Sequence, residues 1–126
     1  LWMASAHGRK KEVSRLLLEG AEIDEPGGGV WEWTPLQAAA SRGHSLTALL
    51  LLEHGASLAA KAKDGGTALV FACLGAHPEV ASLLLAKGAE ATAEDDRGRT
   101  ALHAAAFSKP GRSDAGGRQE VARLLL

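Results

Sequence analysis

The 126-residue chain has few of the residues that β-sheets favour. It contains two Phe, three Trp and no Tyr, and Val and Ile together number six. β-Branched and aromatic side chains pack best on a pleated surface, so their scarcity argues against a β-sandwich or a β-barrel. Ala and Leu fill 45 of the 126 positions, and both are strong helix formers. The composition therefore predicts an all-α fold in a chain of single-domain length.

Further shortages exclude classes of function. The 14 Lys and Arg balance the 15 Asp and Glu, so no overall basic field exists to hold nucleic acid or an anionic membrane. The longest leucine run, Leu49 to Leu52, is far shorter than the roughly 20 apolar residues of a membrane-spanning helix. Cys73 is the single cysteine, which excludes an internal disulfide and a Cys-rich zinc site. A lone cysteine suits a reducing compartment, so we expect an intracellular location, with the cytoplasm favoured over the nucleus.

A pattern with a period of 33 residues repeats along the chain. The segments TPLQAAA, TALVFAC and TALHAAA begin at Thr34, Thr67 and Thr100. The pairs Gly55-Ala56 and Gly88-Ala89 recur at the same interval, each after a Leu-rich segment. Thr is a favoured helix N-cap, and Gly supplies the left-handed residue that ends a helix. Each unit is therefore predicted to form a thin Ala-rich first helix, a turn and a Leu-rich second helix, which bury their apolar faces by stacking.

These motifs resemble ankyrin repeats, which share the 33-residue period and a T-P-L-H-x-A signature. The resemblance covers the whole chain and implies a solenoid of stacked helix-turn-helix units with hairpin-like connectors. We divide the chain into residues 1–25 (partial), 26–59, 60–93 and 94–126 (partial), called units one to four. Both ends fall within a repeat, so we expect the chain to be part of a longer protein. We also expect its last helix, residues 121–126, to fray because a capping unit is missing.

Three features depart from the repeat pattern. The connector before unit two is two residues longer and has Glu32 where the later units have Gly65 and Gly98, so we expect a different turn there. Unit four carries eight additional residues, which fall within residues 109–116. Ala76 replaces the Gly usual in the turn between the two helices, which predicts mild backbone strain.

No catalytic or ligand-binding motif stands out. His44 and His77 occupy the same position of successive units, His103 holds the structural position of the family signature, and no His spacing suits a metal ion. Cys73 fits a small buried position. We interpret the acidic cluster 94–96 as a solvated hairpin tip with local ion pairs rather than an acid–base site. We therefore predict no enzymatic activity, cofactor, metal ion or small-molecule substrate.

Recognition of another protein is the better-supported function. The resemblance implies a concave binding side, made of the connector tips and the exposed side of the first helices. The repeat register places large apolar side chains and arginines on that side, and such residues are enriched at binding hot spots. The predicted contact residues are Trp31, Trp33, Arg42, Asp64, Leu74, Arg97, Arg99 and Phe107.

Alternative functions stay open. The chain can be a regulatory or targeting segment of a multidomain enzyme or channel, or a structural spacer without a specific partner. Nucleic-acid binding through residues 9–11 is least favoured, because such a basic trio is usually a solvated helix face. Trp31 or Trp33 can also fold inward to cover the Ala-rich helices. Replacing both with Ala separates these roles, because a surface role predicts lost binding without a change in melting temperature.

Overall fold

The computed structural model describes residues 1–27, 30, 32–107 and 123–125. This part of the chain is helical and contains no β-strand, which confirms the predicted all-α fold. The helices are α1 (Trp2–Ala6), α2 (Lys10–Leu18), α3 (Pro35–Ser41), α4 (Ser45–Glu53), α5 (Ala68–Leu74), α6 (Pro78–Ala86) and α7 (Ala101–Phe107). Residues 123–125 are also helical, whereas the predicted insertion at 109–116 lies outside the described residues.

The helices stack in two layers. The first helices α1, α3, α5 and α7 pack side by side, and so do the second helices α2, α4 and α6. Within each of the first three units, the first helix also packs on the second helix that follows it. This arrangement is the predicted solenoid, and it places a connector tip before the N-terminus of each first helix from α3 onward.

Threonine side chains begin the first helices, as the repeated motif predicts. The Thr34 hydroxyl accepts a hydrogen bond from the Gln37 backbone N–H at 3.2 Å, and the Gln37 side-chain oxygen accepts from the Thr34 N–H at 2.9 Å. This reciprocal capping box satisfies two donors that the helix itself leaves without partners. Thr67 accepts from the Val70 N–H at 3.5 Å in the same way.

Glycine residues end the second helices. Gly55 has a φ of 90° and donates its N–H to the Leu52 carbonyl oxygen at 3.1 Å, while Ala56 donates to Leu51 at 3.0 Å. These two bonds form a Schellman motif, in which a left-handed residue satisfies the last carbonyls of the helix. The same pair of bonds follows α2 and α6, so the predicted helix ends are confirmed.

The core lies between the two layers and between successive units. Leu36 and Leu69 on the first helices and Leu51 and Leu84 on the second helices are fully buried, and burying each contributes roughly 1.5–3 kcal/mol. Small buried residues separate the first helices, as Ala40 does in unit two. The core is therefore one continuous strip that runs through the stack.

Histidines link neighbouring units. The Nε2 atom of His44 lies 3.0 Å from the Ala6 carbonyl oxygen, and that of His77 lies 3.1 Å from the Ser41 carbonyl oxygen. A carbonyl oxygen only accepts, so Nε2 carries the proton in both rings. The residue directly before each histidine is left-handed, with a φ of 75° at Gly43 and 54° at Ala76. The predicted strain at Ala76 is therefore confirmed, because its Cβ disfavours this conformation.

Candidate protein-interaction surface

The tips before α3, α5 and α7, called the second, third and fourth tips after their units, each close with a backbone hydrogen bond. The donor and acceptor residues are Gly27 and Trp33 (2.8 Å), Ala62 and Gly66 (2.9 Å), and Asp95 and Arg99 (2.9 Å). The residue before each acceptor is left-handed, with φ values of 50° at Glu32, 82° at Gly65 and 74° at Gly98. The three tips therefore share a left-handed residue directly before the acceptor of the closing hydrogen bond.

The turn before α3 differs from the others, as predicted, because the Gly27–Trp33 hydrogen bond closes over two more residues, but the conformation of Glu32 itself does not differ. Glu32 adopts the left-handed conformation that glycine adopts in the other tips. Its Cβ makes that conformation less favourable than it is for Gly65 or Gly98. In the sequence, the two additional residues of this connector fall between Gly27 and Glu32.

The second and third tips meet at the ring of Phe71. The ring centroids of Trp33 and Phe71 lie 4.8 Å apart with an interplanar angle of 45°. Gly66 leaves room for the same ring, because a Cβ on Gly66 would lie 3.0 Å from it. The Trp33 side chain is partly buried, and its indole N–H is buried without a hydrogen-bond partner. Trp33 therefore packs on Phe71 with one part of its surface and leaves the rest exposed.

The fourth tip is held by an ion pair. The Nε atom of Arg99 donates to Oδ2 of Asp95 at 2.9 Å, and the backbone N–H groups of Arg97 and Arg99 donate to Oδ1, each at 2.9 Å. The Asp95 side chain is 2% exposed and that of Arg99 is 42% exposed. Burial raises the pKa of Asp95, but the two backbone N–H groups and the Arg99 guanidinium outweigh it and hold the pKa below its ordinary value.

The acidic cluster 94–96 therefore differs from its interpretation as a solvated tip. Glu94 and Asp96 are exposed, but Asp95 is buried. The local ion pair that we expected is present between Asp95 and Arg99. A buried carboxylate with three donors is a rigid part of the tip rather than a free surface charge.

Three predicted contact residues line one depression between units three and four. Asp64, Leu74 and Arg99 surround it, and its other lining residues are Val70, Asp95 and Ala104. Its volume is about 20 Å³, close to that of one water molecule. The Leu74 side chain is 39% exposed, and Asp64 accepts the Gly66 N–H at 3.0 Å. An exposed apolar side chain thus lies beside groups of both charges.

The remaining predicted residues divide into two groups. Arg42, which follows α3, and Arg97, at the fourth tip, are exposed. Trp31 lies outside the described residues. Phe107 is the last residue of α7, and its side chain also lies outside the described part.

Cys73 is part of the packing between first helices. It is fully buried, and burial raises the pKa of its thiol to about 12. The reactive thiolate is therefore not populated near neutral pH.

Sequence reasoning missed two residues that shape this surface. Gln37 is buried and donates its side-chain N–H to the Ala60 carbonyl oxygen at 2.8 Å, which ties α3 to the tip of unit three. Asp95 occupies the register position of the buried Ala62. The available signal was a carboxylate at a buried position with an arginine four residues later.

Two properties concern the described residues as a set. None of their helices is both long enough and apolar enough to cross a bilayer. None of their His, Cys, Asp and Glu side chains gather in a group of three or more that could hold a metal ion.

Comparison with known proteins identifies the repeats. The family model described as ankyrin repeats (3 copies) matches residues 1–95 and residues 58–126. The two matches together extend over the whole chain. Among curated proteins, none matches the sequence.

Proposed function

Because the chain belongs to the ankyrin repeat family, we propose that it is a non-catalytic, intracellular module that recognises another protein. Repeats of this family are generally protein–protein interaction modules. We assign the principal contact to the tips and first helices of units three and four. The observation that carries this assignment is the exposed Leu74 beside Asp64 and Arg99.

The chemistry of this surface suits a protein partner. Leu74 offers an apolar side chain that a partner residue can cover, and burying apolar area drives association. Asp64 and Arg99 line the same depression and carry opposite charges, which orient a partner rather than add much affinity. Arg97 is exposed on the same tip as Arg99. The partner segment that fits has an apolar side chain over Leu74, a cation toward Asp64 and a carboxylate toward Arg97.

The rigidity of the tips supports the same function. Asp95 accepts two backbone N–H groups of the fourth tip and also holds the Arg99 side chain, and Trp33 and Gly66 both adjoin Phe71. Side chains on such a framework lose little conformational entropy when a partner binds. The stacked units therefore act as a fixed array of contacts.

Site-specific photo-crosslinking tests this proposal. A photoreactive residue is placed at position 74 in one variant and at position 97 in another, and captured proteins are identified after illumination in cells. Thr92, which is exposed in the connector after α6, is the control position. Capture of the same protein from 74 and 97 but not from 92 supports the proposal.

Two outcomes contradict it. Equal capture from all three positions indicates non-specific contact. Capture of no protein from 74 or 97 favours a structural spacer, in which these side chains serve no partner.

A further inference from the structure

The outward side of the second helices carries a surface that the proposed recognition function does not use. Lys11, Leu46 and Glu79 occupy the same repeat position on α2, α4 and α6, and these helices pack side by side. The Ser45 hydroxyl donates to the Glu79 carboxylate at 3.5 Å, which shows that α4 and α6 begin at the same level. We call Lys11, Leu46 and Glu79 the outer row.

The centre of this surface is apolar. Leu46 is 63% exposed, although polar residues occupy its position in the two neighbouring units. One turn further along α4, Leu49 is partly exposed between Ser14 and Ser82 of the adjacent helices. Glu53 is the single charged residue within α4. An apolar centre with polar edges is the usual composition of a protein interface.

The two helices that flank α4 carry opposite charge on this surface. On α2, Lys10, Lys11 and Arg15 are exposed, and Glu12 is already paired with Arg9 at 3.7 Å. On α6, Glu79 is exposed. The helical residues 123–125 continue the layer beyond α6, where Leu124 lines a depression with Glu79 and Ser82. The outer row therefore runs from a cation through a leucine to an anion.

This order makes the surface complementary to a second copy of itself. In a symmetric dimer, if one residue of the first copy contacts another residue of the second copy, the reverse contact also forms. A twofold axis parallel to α4 brings the α2 side of one copy over the α6 side of the other. Leu46 then faces Leu46 of the other copy. Lys11 of each copy faces Glu79 of the other, so this pair occurs twice. A twofold axis across the helices would instead bring the two basic edges together.

We propose that the outward face of α2, α4 and α6 is a self-association surface of this protein, with a twofold axis parallel to α4. The face is small, because three nine-residue helices span an area roughly 13 Å by 25 Å. Stable dimers bury about 800 Å² per partner. The dimer is therefore weak and reversible.

Sedimentation equilibrium of the full chain tests the apolar centre. The wild-type protein is expected to show a reversible monomer–dimer equilibrium, and Leu46→Glu is expected to remain monomeric. Val30→Glu is the matched control, because Val30 is 71% exposed but lies in the connector before α3. It is expected to dimerise like the wild type. Circular dichroism melting verifies that each variant is folded.

A charge exchange tests the predicted symmetry. Lys11→Glu and Glu79→Lys are each expected to raise the dissociation constant about tenfold, because each change acts twice across the axis. The double variant is expected to recover most of the wild-type affinity. A wild-type protein that stays monomeric at about 1 mM, a Leu46→Glu variant that still dimerises, or a double variant no better than the single variants would each overturn the proposal.

Discussion

Gly43 leaves the space that the imidazole ring of His77 occupies in the next unit. A Cβ on Gly43 would lie 2.5 Å from Nδ1 of His77, while Nε2 of the same ring is hydrogen-bonded to Ser41. Gly8 and His44 repeat this relationship one unit earlier. A glycine turn and the histidine of the following unit are thus fitted to one another. In unit three, Ala76 replaces this glycine. The sequence of unit four contains no His after His103 that would need the space.

Gly43→Ala is expected to destabilise the protein more than Gly55→Ala does. Both residues are left-handed, so each substitution costs roughly 1–2 kcal/mol of backbone strain. A Cβ on Gly55 meets no atom within 4 Å, whereas one on Gly43 clashes with His77 and adds roughly 1–3 kcal/mol. Urea unfolding measures the difference between the two variants.

Removing the imidazole ring of His77 tests why Gly43→Ala should destabilise the protein more than Gly55→Ala. In a His77→Ala background, Gly43→Ala should cost about as much as Gly55→Ala does in the same background. Equal costs of the two substitutions in the wild-type background would contradict the fitted relationship.

Asp95→Asn is expected to lower the free energy of unfolding at pH 7 by roughly 1–2 kcal/mol, because it weakens hydrogen bonds to a buried charge. The folded-state pKa of Asp95 lies below its ordinary value. The ionised carboxylate therefore stabilises the fold fully above the unfolded pKa of about 3.9, and this stabilisation is lost as the pH falls through the folded pKa. The melting-temperature difference between wild type and variant should shrink below about pH 4. A melting-temperature difference that is constant from pH 7 to pH 3 would contradict the stabilising role of the ionised Asp95 carboxylate.

Trp33→Ala is expected to lower the free energy of unfolding by about 2 kcal/mol, because it removes the ring contact with Phe71. Val30→Ala, at an exposed position of the same connector, should change stability by less than about 0.5 kcal/mol. Thermal or urea unfolding of the two variants makes the comparison. If the melting temperature of Trp33→Ala equals that of the wild type, Trp33 has no packing role.

Ser5→Ala is expected to stabilise the protein by about 1 kcal/mol. The Ser5 hydroxyl is fully buried without a hydrogen-bond partner, and an unsatisfied buried polar group is costly. The same repeat position is Ala40 in unit two. Ser14→Ala, at a partly exposed position of α2, is the control and should change stability little. Equal unfolding midpoints for Ser5→Ala and wild type would show that the hydroxyl finds a partner in solution.

The fold could be predicted from the sequence because its signals are local and repeated. Thr34 and Thr67 begin helices, and Gly55 and Gly88 end them, through hydrogen bonds within a few residues. The repeat register then placed these helices in a stack without any long-range information. Leu74 lies on a register position for which we expected exposure, and it is partly exposed.

Asp95 was misinterpreted although its donors are local: Arg97 and Arg99 lie two and four residues later in the same tip, but acidic neighbours made the position look solvated. Other details of the surface depend on contacts between units, which the register does not contain. Trp33 packs because unit three has Phe71 where unit two has the small Ala38. Predicting such a pairing requires the distances between side chains on adjacent repeats.

The recognition surface is the central claim, and the affinity of the crosslinked partner tests it most directly. Isothermal titration calorimetry compares wild type, Leu74→Glu and the control Thr92→Glu, at an exposed position of the connector after α6, all with wild-type melting temperatures. The account predicts at least a tenfold loss of affinity, about 1.4 kcal/mol or more, for Leu74→Glu and none for Thr92→Glu. Wild-type affinity in Leu74→Glu, or an equal loss in Thr92→Glu, would contradict it.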